Sequence, residues 1–330
     1  MSNFRSNPNN DVRVPDSPTD GITSISWNPT SPNIFAATSW DGKVRCYEAS
    51  QQVPTKGTKD SKSPILCSSW SADGSKLFTA GTDKKGMMWD IMADKFQQVA
   101  AHDAPIKEMF YVGDKNVLVT GSWDKTLRYW DLRSDRHVGS VNLSDRVYCM
   151  DVKGSLCVVG TAAKKLHVFT MEDPFRVYRD INSPLRQQLR CISCFPSREG
   201  FAVGSIEGRV AIHHQEERNS NKNFAFKCHR DGKDVFAVNA IDFHPQYGTF
   251  ATAGSDGTFT FWDKDNRQRL KQFPRSCTSI SACKFNANGN IFAYAESYDW
   301  AQGVDGFKQQ QNLLLLRQVP DEDIKSKKKR

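Results

Sequence analysis

Hydrophobic and polar residues alternate in short runs along nearly the whole chain. Stretches such as ISISW, NIFAATSW and KVRCYE combine β-branched and aromatic residues, and Gly, Asp, Asn and Ser separate them. Alternation with a period of two predicts strands, because apolar residues on a helix recur every three to four positions. The chain is therefore expected to fold as an all-β protein.

One unit recurs along this pattern: an acidic or turn residue is followed six positions later by an aromatic residue or a histidine. Three copies are nearly complete, GTDKKGMMWD, GSWDKTLRYWD and GSDGTFTFWD, and three more keep the spacing, SWDGKVRCY, TAAKKLHVF and SIEGRVAIH. A seventh copy begins at SYDW and is interrupted by an insertion. The turns near positions 41, 83, 124, 163, 207, 256 and 299 are 39 to 49 residues apart, close to the period of a WD repeat.

Seven such units predict a seven-bladed β-propeller of WD repeats. An even spacing keeps a residue on one face of its sheet, so the aromatic residue after each turn is expected to pack between neighbouring blades. Because a blade has two faces to bury, the ring must close. We expect residues 11–14 (DVRV) to supply the outer strand of the last blade, whose third strand is placed at LLLLRQV. The propeller is assigned to residues 11–320, between a disordered segment at 1–10 and a charged tail at 321–330.

The composition agrees with a globular protein that has a large core. The 330 residues are 38% hydrophobic, 11% aromatic and 25% charged. No apolar run approaches the roughly 18 residues of a membrane span, so no membrane insertion is expected. The nine cysteines are odd in number and lie mostly among apolar residues, which indicates buried thiols in a reducing compartment. The net charge of +8 favours an acidic partner, and RNA and an acidic peptide both qualify.

Blade three carries polar residues at the spacing of the hydrogen-bonded tetrad of WD repeats. His102, Ser122, Asp124 and Trp130 are expected to satisfy one another in the interior. A hydrolase triad is the alternative, but nothing in the sequence places an oxyanion hole nearby and the repeat already explains all three polar types. Phosphate-binding loops, dinucleotide fingerprints and paired-carboxylate signatures are missing from the sequence. We therefore predict a binding protein and not an enzyme, with no cofactor and no metal.

Two tryptophans and one arginine are candidate contact residues. Trp40 and Trp123 come one position before the turn acid, where other blades have Thr, Ala, Ile or Ser, so the repeat does not require a large ring there. A tryptophan beside a turn is a candidate interface anchor, with packing within the loop as the alternative. Arg209 follows the turn of blade five and offers a two-pronged grip on a carboxylate, with a solvated strand arginine as the alternative.

Aromatic and basic residues are interleaved between blades six and seven. Phe259 and Trp300 are separated by a basic stretch that includes Lys264 and Arg267. Aromatic rings that stack on single-stranded bases and cations that contact phosphates suit RNA or another acidic ligand, with a plain basic surface loop as the alternative. The terminal KSKKKR is a solvated end, a nuclear import signal or a further phosphate contact.

Longer segments resemble a known family. These segments, SWDGKVRCYE, GSWDKTLRYWDLR, SPLRQQLRCISCF, GSIEGRVAIHH, NFAFKCHR, FHPQYGTFATAGSDGTFTFWDKD and NGNIFAYAESYDW, are similar to the messenger-RNA export propeller of the nuclear pore. GSIEGRVA, AFKCHR and the GSDG turn are also similar to the related Bub-type mitotic checkpoint propeller. Both are families of binding proteins.

The resemblance implies an adaptor that docks at the nuclear pore through the GLEBS segment of a phenylalanine-glycine-repeat nucleoporin. It further implies roles in export of polyadenylated RNA and in spindle assembly, and a location in the nucleus and at the pore, with some protein in the cytoplasm. Acidic residues of GLEBS are then expected at Trp40 and Arg209, and single-stranded RNA at Phe259 and Trp300. Two alternatives stay open: a checkpoint adaptor that binds GLEBS-like segments of kinetochore kinases, and a substrate receptor of a ubiquitin ligase.

Overall fold

The computed structural model describes residues 8–134, 136–307 and 311–326. Nearly all regular structure in these ranges is β-strand, as the alternating pattern predicts. The exceptions are two 3-10 turns, Gly113–Lys115 and Glu217–Lys222, and one short helix, α1 (Asp321–Ile324). Within the described ranges, no helix is long and apolar enough to cross a lipid bilayer.

Seven four-stranded antiparallel sheets form the blades of a propeller. The chain begins with β1 (Val12–Arg13). Blade one contains β2 (Ile22–Trp27), β3 (Ile34–Ser39), β4 (Lys43–Glu48) and β5 (Thr55–Asp60). Blade two contains β6 (Ile65–Trp70), β7 (Lys76–Gly81), β8 (Lys85–Asp90) and β9 (Lys95–Ala101). Blade three contains β10 (Ile106–Val112), β11 (Val117–Ser122), β12 (Thr126–Asp131) and β13 (His137–Asn142).

The remaining blades follow in chain order. Blade four contains β14 (Val147–Lys153), β15 (Leu156–Thr161), β16 (Lys165–Thr170) and β17 (Asp173–Asn182). Blade five contains β18 (Leu189–Cys194), β19 (Gly200–Ser205), β20 (Arg209–His214) and β21 (Phe224–Lys227), and is followed by a hairpin of β22 (Arg230–Asp231) and β23 (Asp234–Val235). Blade six contains β24 (Val238–Phe243), β25 (Phe250–Gly254), β26 (Phe259–Asp263) and β27 (Gln268–Gln272). Blade seven contains β28 (Ile280–Phe285), β29 (Ile291–Glu296) and β30 (Leu313–Gln318), together with β1.

The beginning of the chain completes the last blade. β1 pairs antiparallel with β30, and Val12 lies opposite Leu316. The backbone N–H of Val14 donates to the carbonyl oxygen of Leu314 at 2.9 Å. This arrangement confirms the predicted closure, with the DVRV segment as outer strand and the LLLLRQV segment as third strand of blade seven.

Side chains inserted between the blades hold the ring together. Tyr47 lies in the apolar cluster between blades seven and one, Trp89 in that between one and two, and Phe169 in that between three and four. Each of the seven apolar clusters formed by the described residues joins two adjacent blades. The prediction that the aromatic residue after each turn packs between neighbouring blades is confirmed for these rings.

Polar side chains in blade three form a buried hydrogen-bond chain. Nδ1 of His102 lies 2.8 Å from Oδ2 of Asp124, and Nε2 lies 2.7 Å from the hydroxyl of Thr120. The indole N–H of Trp130 donates to the same hydroxyl at 2.8 Å. Burial alone would raise the pKa of Asp124, but hydrogen bonds from His102 and from the Thr126 hydroxyl hold it well below its usual range. The carboxylate therefore stays ionised and anchors the chain.

The predicted hydroxyl, Ser122, is not part of this chain. Its hydroxyl donates to the backbone carbonyl of Pro105 at 2.9 Å. Trp130 lies opposite Leu118 in the sheet, so Ser122 is four positions away along the strand and Thr120 only two. The assignment of Ser122 to the tetrad is therefore wrong, because the register of β11 and β12 brings Thr120 within reach of the indole.

Blade six contains a second chain of the same kind, which the sequence pattern did not identify. His229 lies 2.9 Å from Asp256 and 2.9 Å from Thr252, whose hydroxyl also accepts from the indole N–H of Trp262 at 2.9 Å. His229 precedes its aspartate by 27 residues, whereas His102 precedes Asp124 by 22. The hairpin of β22 and β23 accounts for this longer spacing.

The folded body extends past residue 320, the boundary expected from the sequence. Ile324 is fully buried against the core between blades six and seven. Lys271 of β27 lies 2.6 Å from the carboxylate of Asp323. Residues 321–326 are therefore packed on blade six and are not part of a free tail. Burial of the apolar side chain of Ile324 makes this position more favourable than one in water. Residues 327–330 of the expected tail, and 1–7 of the expected disordered segment, lie outside the described residues.

Candidate binding face at the channel mouth

The two ends of the propeller carry different loops because the strands of each blade are antiparallel. The turn between the second and third strands lies at the same end as the connection to the next blade. We refer to this end as the top face, which includes residues 40–42, 123–125 and 206–208. The bottom face carries the turns between first and second strands and between third and fourth strands.

The backbone fixes the position of both candidate tryptophans on the top face. The N–H of Trp40 donates to the carbonyl of Gly21 at 2.9 Å, and that of Trp123 to Pro105 at 3.0 Å. Residues at the same place in the other blades make the equivalent bond; they are Thr82, Ala162, Ile206, Ser255 and Ser297. A Cβ on Gly21 would lie 3.1 Å from Cδ1 of Trp40, so the indole packs closely on the glycine. The repeat thus fixes the backbone at this position in every blade, and only blades one and three place a tryptophan side chain there.

A cavity of about 720 Å³ opens where the central channel meets the top face. Trp40, Trp123 and Trp300 line it together, although they belong to blades one, three and seven. Trp40 is 45% exposed and Trp300 51% exposed. The buried indole nitrogen of Trp123 has no hydrogen-bond partner within the described part of the chain. The structure therefore brings three of the predicted contact residues to one opening.

Basic side chains line the same cavity. They are Lys107, Arg146 and Arg190, and sequence reasoning identified none of them. Burial by itself lowers the pKa of Lys107, but the carboxylate of Glu108, 2.6 Å away, outweighs it and the net shift is upward. Nε of Arg190 donates to the side-chain oxygen of Asn239 at 3.2 Å. Asp20 and Asp299 line the cavity as well, so the mouth combines aromatic faces with three basic and two acidic side chains. Its basic part suits an acidic ligand that also carries apolar groups.

Below the mouth, charged groups of the channel are satisfied within the protein. Nζ of Lys284 lies 2.7 Å from Asp242, and Asp151 accepts the backbone N–H of Cys194 at 2.6 Å. Among the residues the structure describes, no three His, Cys, Asp or Glu side chains are grouped to hold a metal ion. Recognition is therefore expected at the mouth and the top face, where aromatic groups remain exposed.

Arg209 lies on the top face but outside the cavity. It begins β20, next to the turn of blade five, and its side chain is partly exposed. Within residues 8–134, 136–307 and 311–326, its guanidinium has no hydrogen-bond or ion-pair partner. Arg230 supports this turn instead, because it donates to the carbonyl of Glu207 at 2.8 Å. Trp40 and Arg209 are in blades one and five, so a ligand that contacts both has to extend across the face.

Phe259 cannot serve as a stacking platform. It is fully buried between blades six and seven, with ring centroids 4.2 Å from Phe273 and 4.9 Å from Tyr294. The expectation that Phe259 contacts RNA is therefore wrong. The physical reason is that blade seven packs directly on this side of β26, where the aromatic ring gains more from burial than from exposure.

Lys264 and Arg267 lie on the bottom face, at the turn between β26 and β27, and do not share a site with Trp300. Lys264 is paired with Asp265 at 2.6 Å, and the guanidinium of Arg267 lies 4.7 Å from the ring centroid of Phe224. The expected groove that joined these residues to Trp300 is therefore not formed. Antiparallel strands place successive turns at opposite ends of the blade, which separates the two groups.

Trp300 has two aromatic partners in the structure. Phe307 stacks on it with a centroid distance of 5.4 Å and an interplanar angle of 6°, and Tyr298 lies at 5.5 Å. All three belong to the insertion of blade seven between β29 and β30. Trp300 has a positive φ of 59°, which is rare for a bulky residue. The insertion thus presents an exposed aromatic stack beside the channel mouth.

The sequence matches the family described as "WD domain, G-beta repeat" at residues 10–48, 52–90, 94–131 and 221–263, which contain the first three strands of blades one, two, three and six. It is 49% identical to "mRNA export factor GLE2" of Chaetomium thermophilum over 310 residues, which are 90% of this chain and 87% of that protein. The chain belongs to the WD-repeat mRNA export factor family.

Other proteins similar to this member of the mRNA export factor family cover almost its whole length. "Poly(A)+ RNA export protein" of Schizosaccharomyces pombe is 43% identical over 340 residues, 100% of this chain and 96% of that protein. "Protein Rae1" of Drosophila melanogaster is 44% identical over 329 residues, 95% of each chain.

Proposed function

We propose that this mRNA export factor family member is a non-enzymatic adaptor in the export of polyadenylated mRNA. We further propose that it docks at the nuclear pore by binding the GLEBS segment of a nucleoporin on its top face. The observation that carries this proposal is the convergence of Trp40 and Trp123 with basic side chains at the channel mouth. The names of the relatives support the export role and favour it over the checkpoint and ubiquitin-ligase alternatives.

The geometry suits an extended acidic peptide. The half-exposed indole of Trp40 offers an apolar face at one side of the top face. At another side, the guanidinium of Arg209, which has no ion-pair partner among the described residues, can pair with a carboxylate of the ligand. No internal ion pair among the described residues has to break when Arg209 binds. Because both residues are fixed to rigid blades, little conformational entropy is lost from the propeller on binding.

Single-stranded RNA is a second candidate ligand, favoured by the stack of Tyr298, Trp300 and Phe307. Exposed aromatic rings bind bases without reading their sequence, and each stacked base contributes about 1–3 kcal/mol. Arg146 and Arg190 at the adjacent mouth supply positive charge for phosphates. Peptide and RNA would thus bind neighbouring parts of one face.

Imaging tests the docking proposal. A fluorescently tagged chain is expected to mark the rim of the nucleus, and the Trp40→Ala variant is expected to become diffuse because the anchor for the nucleoporin segment is lost. Phe175→Ala is the matched control, since Phe175 is 49% exposed but lies on the outer strand of blade four. A diffuse pattern for the unaltered chain would contradict docking at the pore.

Substitution in the aromatic stack tests the RNA proposal. Trp300→Ala is expected to weaken binding to a single-stranded oligonucleotide by about tenfold, the lower end of the free energy of one stacked base. Fluorescence anisotropy measures the affinity, which should also fall steeply with salt if phosphates are contacted. Phe175→Ala again serves as control. Equal affinities of the Trp300→Ala variant and the unaltered chain would exclude the stack as an RNA site.

A further inference from the structure

A serine helps to fasten the segment after the last strand to blade six, beside the buried side chain of Ile324 and the ion pair of Lys271 with Asp323. The hydroxyl of Ser326 donates to Oδ2 of Asp263 at 2.5 Å and accepts from the side-chain amide of Asn266 at 2.9 Å. Ser326 is itself exposed, although the carboxylate that it contacts is buried. The segment thus ends on a polar contact at the edge of the bottom face, next to the buried side chain of Ile324.

The buried carboxylate of Asp263 is stabilised by hydrogen-bond donors, and the Ser326 hydroxyl is one of them. It is only 2% exposed, and burial would raise its pKa. Hydrogen bonds from Ser326 and Asn266, and from the backbone N–H groups of Asp265 and Asn266, instead hold the pKa below its ordinary value. Asp263 is therefore a buried anion that depends on neutral donors, and the Ser326 hydroxyl is one of them.

Basic residues flank Ser326 on both sides in the sequence. Lys325 precedes it, and residues 327–330 (KKKR) follow it. Nζ of Lys325 lies 5.5 Å from the ring centroid of Tyr247, at the surface. A serine hydroxyl with cations on both sides in the sequence suits kinases whose peptide groove is acidic, because acidic grooves select basic neighbours.

We propose that Ser326 is a phosphorylation site for a kinase of this basic-directed class, and that phosphorylation releases residues 321–326 from blade six. The Ser326 oxygen forms a bond to the γ-phosphorus of ATP while the bond from that phosphorus to the β,γ-bridging oxygen breaks and ADP leaves. The hydroxyl proton passes to the catalytic base of the kinase. The product keeps its Cβ–Oγ bond and differs from the substrate by one phosphoryl group.

Phosphorylation reverses the contact with Asp263. The ester oxygen has no proton to donate, and the phosphoryl group carries about 1.5 to 2 negative charges opposite a buried carboxylate. The hydrogen-bond partners of Ser326 in the described structure are one carboxylate and one amide, so no cation among them compensates the new charge. One of the contacts that hold the segment becomes a repulsion strong enough to oppose the others, and the modified segment is expected to leave its place on blade six.

The inference concerns the bottom face and goes beyond the proposed function, which uses the top face. Release would expose the apolar site of Ile324 and would separate Asp323 from Lys271. The phosphoryl group itself would lower the net positive charge of the basic C-terminal sequence KSKKKR. One modification would thus change the shape and the charge of the bottom face without altering the residues at the channel mouth.

The test uses the full chain, a purified basic-directed kinase and ATP. Mass spectrometry is expected to locate the phosphate at Ser326, and the Ser326→Ala variant is expected to lack it. A synthetic peptide of residues 320–330 is the control that shows whether the kinase accepts the sequence. Absence of phosphate at Ser326 in both peptide and protein would overturn the site, and so would phosphate in the peptide alone.

Amide hydrogen exchange tests the release. The N–H of Asp323 bonds to Pro320 and that of Lys325 to Asp321, so both report whether the segment is folded. Their exchange is expected to be at least about tenfold faster in the phosphorylated chain, which corresponds to loss of one hydrogen bond to a charged group. The amides of β11 in blade three are the internal control and should not change. Unchanged exchange at Asp323 and Lys325 in the phosphorylated chain would overturn the release.

Discussion

Deletion of residues 1–20 lowers the melting temperature of the propeller by about 10 °C, the shift expected for a loss of roughly 5 kcal/mol in a chain of this size. The deletion removes β1 and Val14, which is fully buried in the cluster between blades seven and one. Burial of one valine contributes about 2 kcal/mol, and each hydrogen bond about 1 kcal/mol. Differential scanning calorimetry measures the shift.

The same deletion leaves polar groups of blade seven without their partner. The carboxylate of Asp11 accepts the hydroxyl of Tyr294 at 2.8 Å and pairs with Arg317 at 3.0 Å. Arg317, a partly buried cation, then keeps only the more distant carboxylate of Asp323 at 3.7 Å, which adds to the loss. Deletion of residues 1–7 alone is the control, because it keeps β1 and Asp11 in place. A melting temperature unaffected by the longer deletion would contradict closure by the N-terminal strand.

If Arg209 contacts the GLEBS peptide as proposed, Arg209→Glu is expected to weaken binding of that peptide by several kcal/mol, the cost of a like-charge contact. Arg209 has no ion-pair partner in the described part of the chain, so the substitution breaks no internal bridge there. The loss of affinity therefore reports on the ligand and not on the fold. Isothermal titration calorimetry of the peptide with each variant measures it.

A matched variant separates a local contact from the effect of net charge. Arg267→Glu makes the same change of charge on the bottom face, where Arg267 is exposed. It is expected to change the affinity little, because charges on opposite faces are screened over such distances at physiological salt. Equal losses in the two variants would mean that the long-range charge of the chain, and not a site at Arg209, governs binding.

The spacing of the repeat was sufficient to predict the blades, their number and the closure of the ring. A period of about 40 residues, with an aromatic residue six positions after each turn, can be satisfied only if every blade packs on the next. The same pattern predicted that Trp40 and Trp123 are additions to the repeat, and both lie at the channel mouth. A repeat pattern of this kind predicts which side chains must be buried between the blades and which are additional to the repeat.

Contacts that depend on register and on neighbouring blades were harder to predict. Thr120 and Ser122 are two residues apart on one strand, and only the pairing of β11 with β12 shows which hydroxyl reaches Trp130. Phe259 and Trp300 are both aromatic and both follow turns, but one is covered by blade seven and the other is half exposed. The bottom-face position of Lys264, in contrast, follows from counting turns along the antiparallel strands, so the sequence contained enough information to place it.

The basic residues at the channel mouth were missed for a related reason. Arg190 lies within β18 between Leu189 and Cys191, and Lys107 lies within β10 between Ile106 and Glu108, each on the first strand of its blade. The first strand of each blade lines the central channel, so a charged residue there points to the channel or to its mouth. Charged residues on the first strands are a signal in the sequence that would have identified Lys107 and Arg190.

Amide hydrogen exchange of the full chain, with and without a saturating GLEBS peptide, tests the central proposal that the top face binds the GLEBS segment. The account predicts slower exchange on binding at the top-face turns, residues 39–42, 122–125 and 206–209, and unchanged exchange at the bottom-face turn of residues 264–267. Protection confined to the bottom face, or no protection at any turn with peptide bound, would contradict it.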